Sequence, residues 1–357
     1  MKRFSSLLSL VFSLTAFSFA SLLPAADYPA PKDGNWITRD FRFHTGETLP
    51  ELRLNYVTIG EPSGEPVLIL HGTGGAGTNF LTNAFAGELF GPGQPLDATR
   101  YFIIIPDAVG AGKSSKPSDG LRMKFPRYNS DDLVRANYRL VTEHLGVRRL
   151  RLVMGSSGGC MQAWIWATMY PDFMDMLVPL ACMPIELGGR NWMTRRMMIE
   201  SIKSDPEWNG GNYTKQPRSL HLAQTFFSIA TNGGTRALQK AAPTREKADQ
   251  SVNQRLEQSS RSDANDVIYQ YESARDYNPS PKLETIKARV LAINAEDDER
   301  NPVELGVMER EIKRVRRGRY ILVPGSEETA GHGTTGRAKW WKHHLAEFLR
   351  PAERAAR

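Results

Sequence analysis

The chain has 357 residues, a formal net charge of +7, and 40% hydrophobic and 24% charged side chains. That balance excludes global disorder and supplies enough apolar surface for one large domain with an insertion, or for two domains. The basic residues are scattered except for a cluster at 313–319, which reads as a solvated face, and there is no basic-aromatic platform for nucleic acid.

The first residues set the expected compartment. Lys2 and Arg3 make a positive start, and 7–20 is apolar yet too short to span a bilayer comfortably. Small residues at Ser18-Phe19-Ala20, or at Pro24-Ala25-Ala26, offer cleavage positions. Residues 1–26 are therefore expected to be a signal peptide, with an uncleaved anchor as the alternative. The mature protein would be periplasmic or secreted, without a stable membrane anchor, and its charge would be 7 − 2 = +5. Cys160 and Cys182, the two cysteines, both lie in apolar context. Two buried free thiols are expected, although export would permit a disulfide.

Segments 38–43 and 52–58 alternate and predict an opening antiparallel hairpin. Short apolar runs follow at 67–70, 101–105, 150–154, 176–181, 290–293 and 320–323. Unbroken and β-branched, they predict strands buried on both faces of a mostly parallel sheet. Helical spacing occupies 131–145, after an Asn129 or Ser130 cap, and 337–349 closes the chain. Strands alternating with helices make this an α/β chain. Between 184 and 287 the rhythm stops and helical, Met- and Gln-rich segments take over, as expected of a cap over a site. The domain plan is then core at 27–183, cap at 184–287 and core again at 288–357. A homodimer through the cap is compatible with that plan.

The strongest chemical signal is Gly155-Ser156-Ser157-Gly158-Gly159, placed between a buried strand and a helical pattern. A strand running through G-x-S-x-G into a helix is the nucleophile elbow of α/β-hydrolases, where small residues must flank a serine on a very tight turn. Only Ser157 satisfies the frame, because Ser156 would require glycine at Met154. A serine hydroxyl needs an adjacent base, and this fold supplies acid and histidine later in the chain. His221 falls inside the cap and His343 and His344 inside the last helix, whereas His332 follows the 320–323 strand in a glycine-flanked loop. The acid comes from Glu296-Asp297-Asp298-Glu299, where Asp298 is preferred over Asp297 because it stands four residues before Pro302. The same run could be read as cation ligands, but no histidine or second acidic cluster accompanies it, so neither metal nor cofactor is expected. Backbone N–H groups of Thr73, in His71-Gly72-Thr73-Gly74-Gly75, and of Gly158 are the expected oxyanion donors. Gly110-Ala111-Gly112-Lys113-Ser114 imitates a phosphate loop but lacks its first glycine, since Asp107 stands there.

With these residues in place, the chain resembles the homoserine O-acetyltransferase-like branch of the α/β-hydrolases. Met161 and Gln162 follow the elbow, and Arg196, Ile199, Asp205, Pro206, Trp208, Gly211 and Tyr213 match the cap pattern. The resemblance implies an α/β-hydrolase fold and an acyl-enzyme on Ser157 whose acyl group is passed onward. Two departures weigh against transfer. The stretch Ile229-Ala230-Thr231-Asn232 lacks the arginine that such relatives direct at an amino-acid carboxylate, and Gly158 replaces a bulky apolar residue. Together with export, they favour a serine hydrolase acting on a small-molecule acyl substrate, with O-acyl transfer as the alternative. Arg196, Trp192 and Phe226 are the expected substrate contacts, and Trp208 and Tyr213 are expected to fix the cap.

Overall fold

The computed structural model describes residues 27–258 and 262–350. The segment read as a signal peptide lies outside them. Eight strands form one sheet in the order β1-β2-β4-β3-β5-β6-β7-β8. β1 (Lys32–Arg42) and β2 (Thr48–Ile59) pair antiparallel, with Trp36 opposite Leu54, and β2 pairs antiparallel with β4 (Tyr101–Pro106). From β4 onward every pair is parallel: β3 (Glu65–Leu70), β5 (Leu150–Ser156), β6 (Met174–Leu180), β7 (Arg289–Ala295) and β8 (Gly318–Val323). Each apolar run of the sequence is a strand here.

The period of two divides each central strand between two cores. Leu68, Leu70 and Val153 pack on one face with Trp164 and Trp166, while Val67, Ile69, Leu152 and Met154 pack on the other with Trp341 and Leu345. Helix α1 (Ser130–Arg139) starts at Asn129, whose side chain accepts from the Asp132 N–H while Asp132 accepts in return from the Asn129 N–H. The helical spacing does run on to residue 144, but as a wider π-helical turn over Leu140–His144. Helix α2 (Gly158–Met169) leaves the elbow and is buried along nearly its whole length, covered by the sheet and α1.

Between β6 and β7 the described residues form no strand. They form α3 (Gly189–Lys203), α4 (Arg218–Thr231), α5 (Thr235–Ala241), α6 (Arg245–Glu257) and α7 (Ala264–Glu272). α3, α4 and α7 share their own core of Met198, Ile199, Ile202, Leu220, Phe227, Val267 and Ile268. The Trp208 indole donates to Asn265 Oδ1 at 2.9 Å, and Tyr213 Oη accepts from the Asn265 N–H at 3.2 Å. Both therefore tie the turn after α3 to the start of α7. The last helix, α8 (Lys342–Leu349), begins later than its spacing suggests, because Trp341 takes a non-helical φ of −139° and buries its ring.

One expectation is corrected. Cys160 and Cys182 are disulfide-bonded, with Cα atoms 6.0 Å apart. Cys160 lies in the first turn of α2 and Cys182 just beyond β6, and these meet because β5 and β6 are parallel neighbours. Sequence spacing carries no information on that adjacency.

Candidate active site

The three parallel strands β5, β7 and β8 each deliver one chemical group at their carboxyl ends. Ser157 follows β5 in a left-handed conformation, φ 55° and ψ −116°. The turn closes because its flanks carry no side chains: a Cβ on Gly155 would collide with the Gly159 carbonyl, and one on Gly159 with the Leu70 carbonyl. His332 sits in the short helical turn Gly331–Gly336 after β8, and its Nε2 lies 2.8 Å from Ser157 Oγ. Its Nδ1 lies 2.8 Å from Asp298 Oδ2 and 3.0 Å from Oδ1.

Asp298 is buried at 2% exposure and receives two more donors, the Arg300 N–H at 2.9 Å and Asn301 Nδ2 at 2.8 Å. Burial alone would raise its pKa. The charge and hydrogen bond of His332, with the Asn301 and Arg300 donors, outweigh burial and hold the carboxyl below its ordinary value. For His332 burial dominates and pushes the pKa down, against the upward pull of Asp298; the Arg300 and Arg195 charges add to the downward push. The imidazole is thus neutral near pH 7, with the proton on Nδ1 toward Asp298 and a lone pair on Nε2 toward Ser157.

Asp297 does something else. Its Oδ2 accepts from Thr329 Oγ1 at 2.6 Å and from the Gly331 N–H at 3.3 Å, so it holds the loop that carries His332. His221 is in the cap with Nε2 3.1 Å from the Leu256 carbonyl oxygen, and the rings of His343 and His344 lie against each other in α8, tilted by 44°.

Gly158 opens α2, so its N–H has no acceptor within the helix. A Cβ there would strike Oγ1 and N of Thr73. The glycine that departs from the family pattern therefore lets the Thr73 backbone approach the elbow, bringing the two expected oxyanion donors side by side. Buried His71 braces this loop. Its Nε2 accepts from the Ala108 N–H at 2.9 Å, which leaves Nδ1 to donate to the Gly72 carbonyl at 2.8 Å. Beside the elbow is a cavity of about 30 Å³ lined by Thr73, Gly158, Met161, Gln162, Tyr128 and Gln270 among others. The false phosphate loop wraps Asp107, which accepts from the Gly77 and Lys113 N–H groups.

The three expected substrate contacts do not line that cavity. Arg196 is half exposed and ion-paired with Glu200 one turn on. Phe226 is 71% exposed on a groove between α3 and α4, and Trp192 packs under the Arg275 guanidinium. Sequence reasoning missed their neighbour Arg195, which is buried at 2% exposure. Helical spacing held the signal: Arg195 shares a face with Met198, Ile199 and Ile202, whereas Arg196 points the other way with Glu200. Burial pushes the Arg195 guanidinium down to about 10. Asn301 was missed as well, although it stands beside the acid.

The family model for the alpha/beta hydrolase fold matches residues 65–327. The chain belongs to the α/β-hydrolase family. Its relatives place it in the homoserine O-acetyltransferase-like branch. A probable acyltransferase of Methanothermobacter thermautotrophicus is 31% identical over 274 residues, 74% of this chain and 82% of that protein. A homoserine O-acetyltransferase of Haloferax prahovense is 34% identical over 201 residues, 50% of this chain and 47% of that protein. The match thus spans about half the length of that acetyltransferase. The fold is shared with homoserine O-acetyltransferase from Bacillus anthracis, at TM-score 0.78 and 21% identity over 90% of this chain and 98% of that one. It is shared too with an acetylester hydrolase from Corynebacterium glutamicum, at 0.76 and 20% over 89% and 96%.

Proposed function

We propose that this chain is a serine acyltransferase that takes a short acyl group onto Ser157 and passes it to a hydroxyl acceptor. The unbroken line Asp298–His332–Ser157, 2.8 Å at each step, carries the reading. Ser157 Oγ attacks the acyl carbonyl as His332 Nε2 removes its proton. The carbonyl oxygen becomes an oxyanion held by the Thr73 and Gly158 N–H groups. Collapse breaks the bond to the leaving group, which takes the proton from His332 and departs. The acceptor hydroxyl then gives its proton to His332 and attacks the acyl-serine; collapse of that second intermediate returns the proton to Ser157. Asp298 keeps the imidazole in the productive tautomer and offsets its transient charge.

Water in the acceptor's role would make the same residues an esterase. Transfer is favoured over that reading by the relatives at 31% and 34% identity, both named for acyl transfer. Export, read from the first 26 residues alone, remains part of the proposal, and it directs attention to an ester rather than a cytosolic thioester as donor.

The test is labelling and partitioning. A fluorophosphonate should modify Ser157 and leave Ser157→Ala untouched. With 4-nitrophenyl acetate as donor, added homoserine or a simple alcohol should yield the acetylated acceptor in excess of acetate. Absence of labelling in the folded protein would defeat the acyl-enzyme, and acetate as the sole product would make the chain a hydrolase.

A further inference from the structure

The parallel strands have two ends, and the acyl chemistry occupies only one of them. At the other end, the starts of β5 to β8 bring together Arg149 and Arg151, Asp172 and Asp175, Lys287 and Arg289, and Arg317. These side chains line a concave site of about 460 Å³. The four stretches are remote in the chain, and the parallel register sets them side by side: Leu150 lies opposite Met174, Met176 opposite Arg289 and Val290 opposite Gly318. One residue of the basic 313–319 run, Arg317, thereby joins cations from two other strands. Arg151 and Ser157 are separated by the length of β5, about 20 Å at the rise of a strand. None of these residues lines the cavity beside the elbow.

Five cations line the site with two carboxylates, and a third carboxylate, Glu65 of β3, pairs with Arg151, which leaves an excess of 5 − 3 = +2. Asp175 is shared by Arg149 and Arg151, and Lys287 pairs with Asp172 at 2.8 Å. Arg289 and Arg317 stand outside these pairs. Arg289 donates to the Phe348 carbonyl at 2.8 Å and to the Arg350 carbonyl at 3.4 Å, at the end of α8, and Arg317 donates to the Lys287 carbonyl. Those acceptors are neutral. Burial, with the charges of Arg151 and Arg317, depresses the Arg289 pKa. Like charges gathered in a concave site repel one another until an anion sits between them. Guanidinium forks match the oxygens of a phosphate, and a phosphate monoester carries roughly the two negative charges that the site lacks.

We propose that this site binds a phosphate group, at the end of the sheet remote from Ser157. The proposal is independent of the acyl-enzyme reading. A soluble phosphate and a phospholipid head group present the same oxyanion, and the experiment separates them.

Calorimetry on the full chain at low ionic strength, with inorganic phosphate as the probe, tests the site. Phosphate should bind with one-to-one stoichiometry. Arg317→Gln should weaken it by about tenfold, the loss expected of one charge-assisted hydrogen bond. Asp172→Asn releases Lys287 and should tighten binding severalfold, a gain that a purely structural role for these charges does not predict. Lys247→Gln removes one positive charge from the exposed side of α6 and should leave the affinity unchanged. Urea unfolding checks that each variant is folded. Sedimentation with phosphatidylglycerol vesicles, against phosphatidylcholine vesicles, then identifies the source. Vesicle binding that is lost in Arg317→Gln assigns the phosphate to a lipid head group, and phosphate binding without vesicle binding assigns it to a soluble ligand. No phosphate binding by the wild type, or equal losses in Lys247→Gln and Arg317→Gln, overturns the proposal. Should Arg317→Gln not fold, an unchanged affinity in Asp172→Asn does the same.

Discussion

Replacing Asp298 by asparagine separates the two adjacent aspartates by their hydrogen-bond arithmetic. Three donors converge on the Asp298 carboxylate: His332 Nδ1, the Arg300 N–H and Asn301 Nδ2. An asparagine offers one acceptor oxygen and an NH2 group that must face at least one of those donors. If His332 keeps its tautomer, a buried donor loses its acceptor, at a cost of about 1–3 kcal/mol in stability. If His332 instead accepts at Nδ1, its proton moves to Nε2 and it can no longer take the Ser157 proton. Loss of the base in this way is worth about 10³- to 10⁴-fold in kcat, or about 4–5.5 kcal/mol of barrier. Asp297→Asn is milder, because only Oδ2 is engaged and Oδ1 has no partner, so the amide can orient its oxygen toward Thr329 and Gly331. Its expected loss is under about tenfold. Pre-steady-state release of 4-nitrophenol from the acetate ester reads the acylation step, and urea unfolding reads stability. Equal losses in the two variants, or a larger loss in Asp297→Asn, would refute the assignment.

Two further outcomes follow from the geometry. Because burial depresses the His332 pKa, kcat/KM should rise with pH to a midpoint below the ordinary imidazole value of 6.5. The sign for stability agrees: the unfolded chain takes up a proton below 6.5 that folded His332 refuses, so this contribution is present above 6.5 and is lost as pH falls toward the depressed value. A midpoint at or above 6.5 in the rate profile would contradict the burial argument. The Cys160–Cys182 bridge, with a sequence separation of 22, should contribute about 3 kcal/mol through its constraint on the unfolded chain. Urea midpoints with and without dithiothreitol measure it, and identical midpoints would mean that the cross-link does not constrain the chain.

Much of the fold was legible because its signals are local. Strands β3 to β8 announced themselves as short apolar runs, since strands buried on both faces need side chains that shed water whichever way they point, while β1 and β2 showed as alternation. The helix after Asn129 was legible from its cap and its 3.6-residue spacing, but its change to a π-helical turn at Leu140 was not, because the same apolar spacing fits both. Arg196 and Phe226 were placed at the substrate by pattern, whereas the structure turns Arg196 to Glu200 and Phe226 to the surface groove. A one-residue step along a helix is about 100° of rotation, and that step separates Arg196 from buried Arg195.

What the sequence determined by itself is the chemistry confined to a few consecutive residues. Gly155-Ser156-Ser157-Gly158-Gly159 between a buried strand and a helix is the elbow, because only glycines at 155 and 159 allow the turn to close around Ser157. Tertiary structure alone decided everything that depends on distance between remote segments. It chose Asp298 over Asp297 for His332 and joined Cys160 to Cys182. These outcomes depend on which strand ends lie side by side and which way each side chain turns. Both are set by packing across the sheet and the cap, which no spacing along the chain encodes.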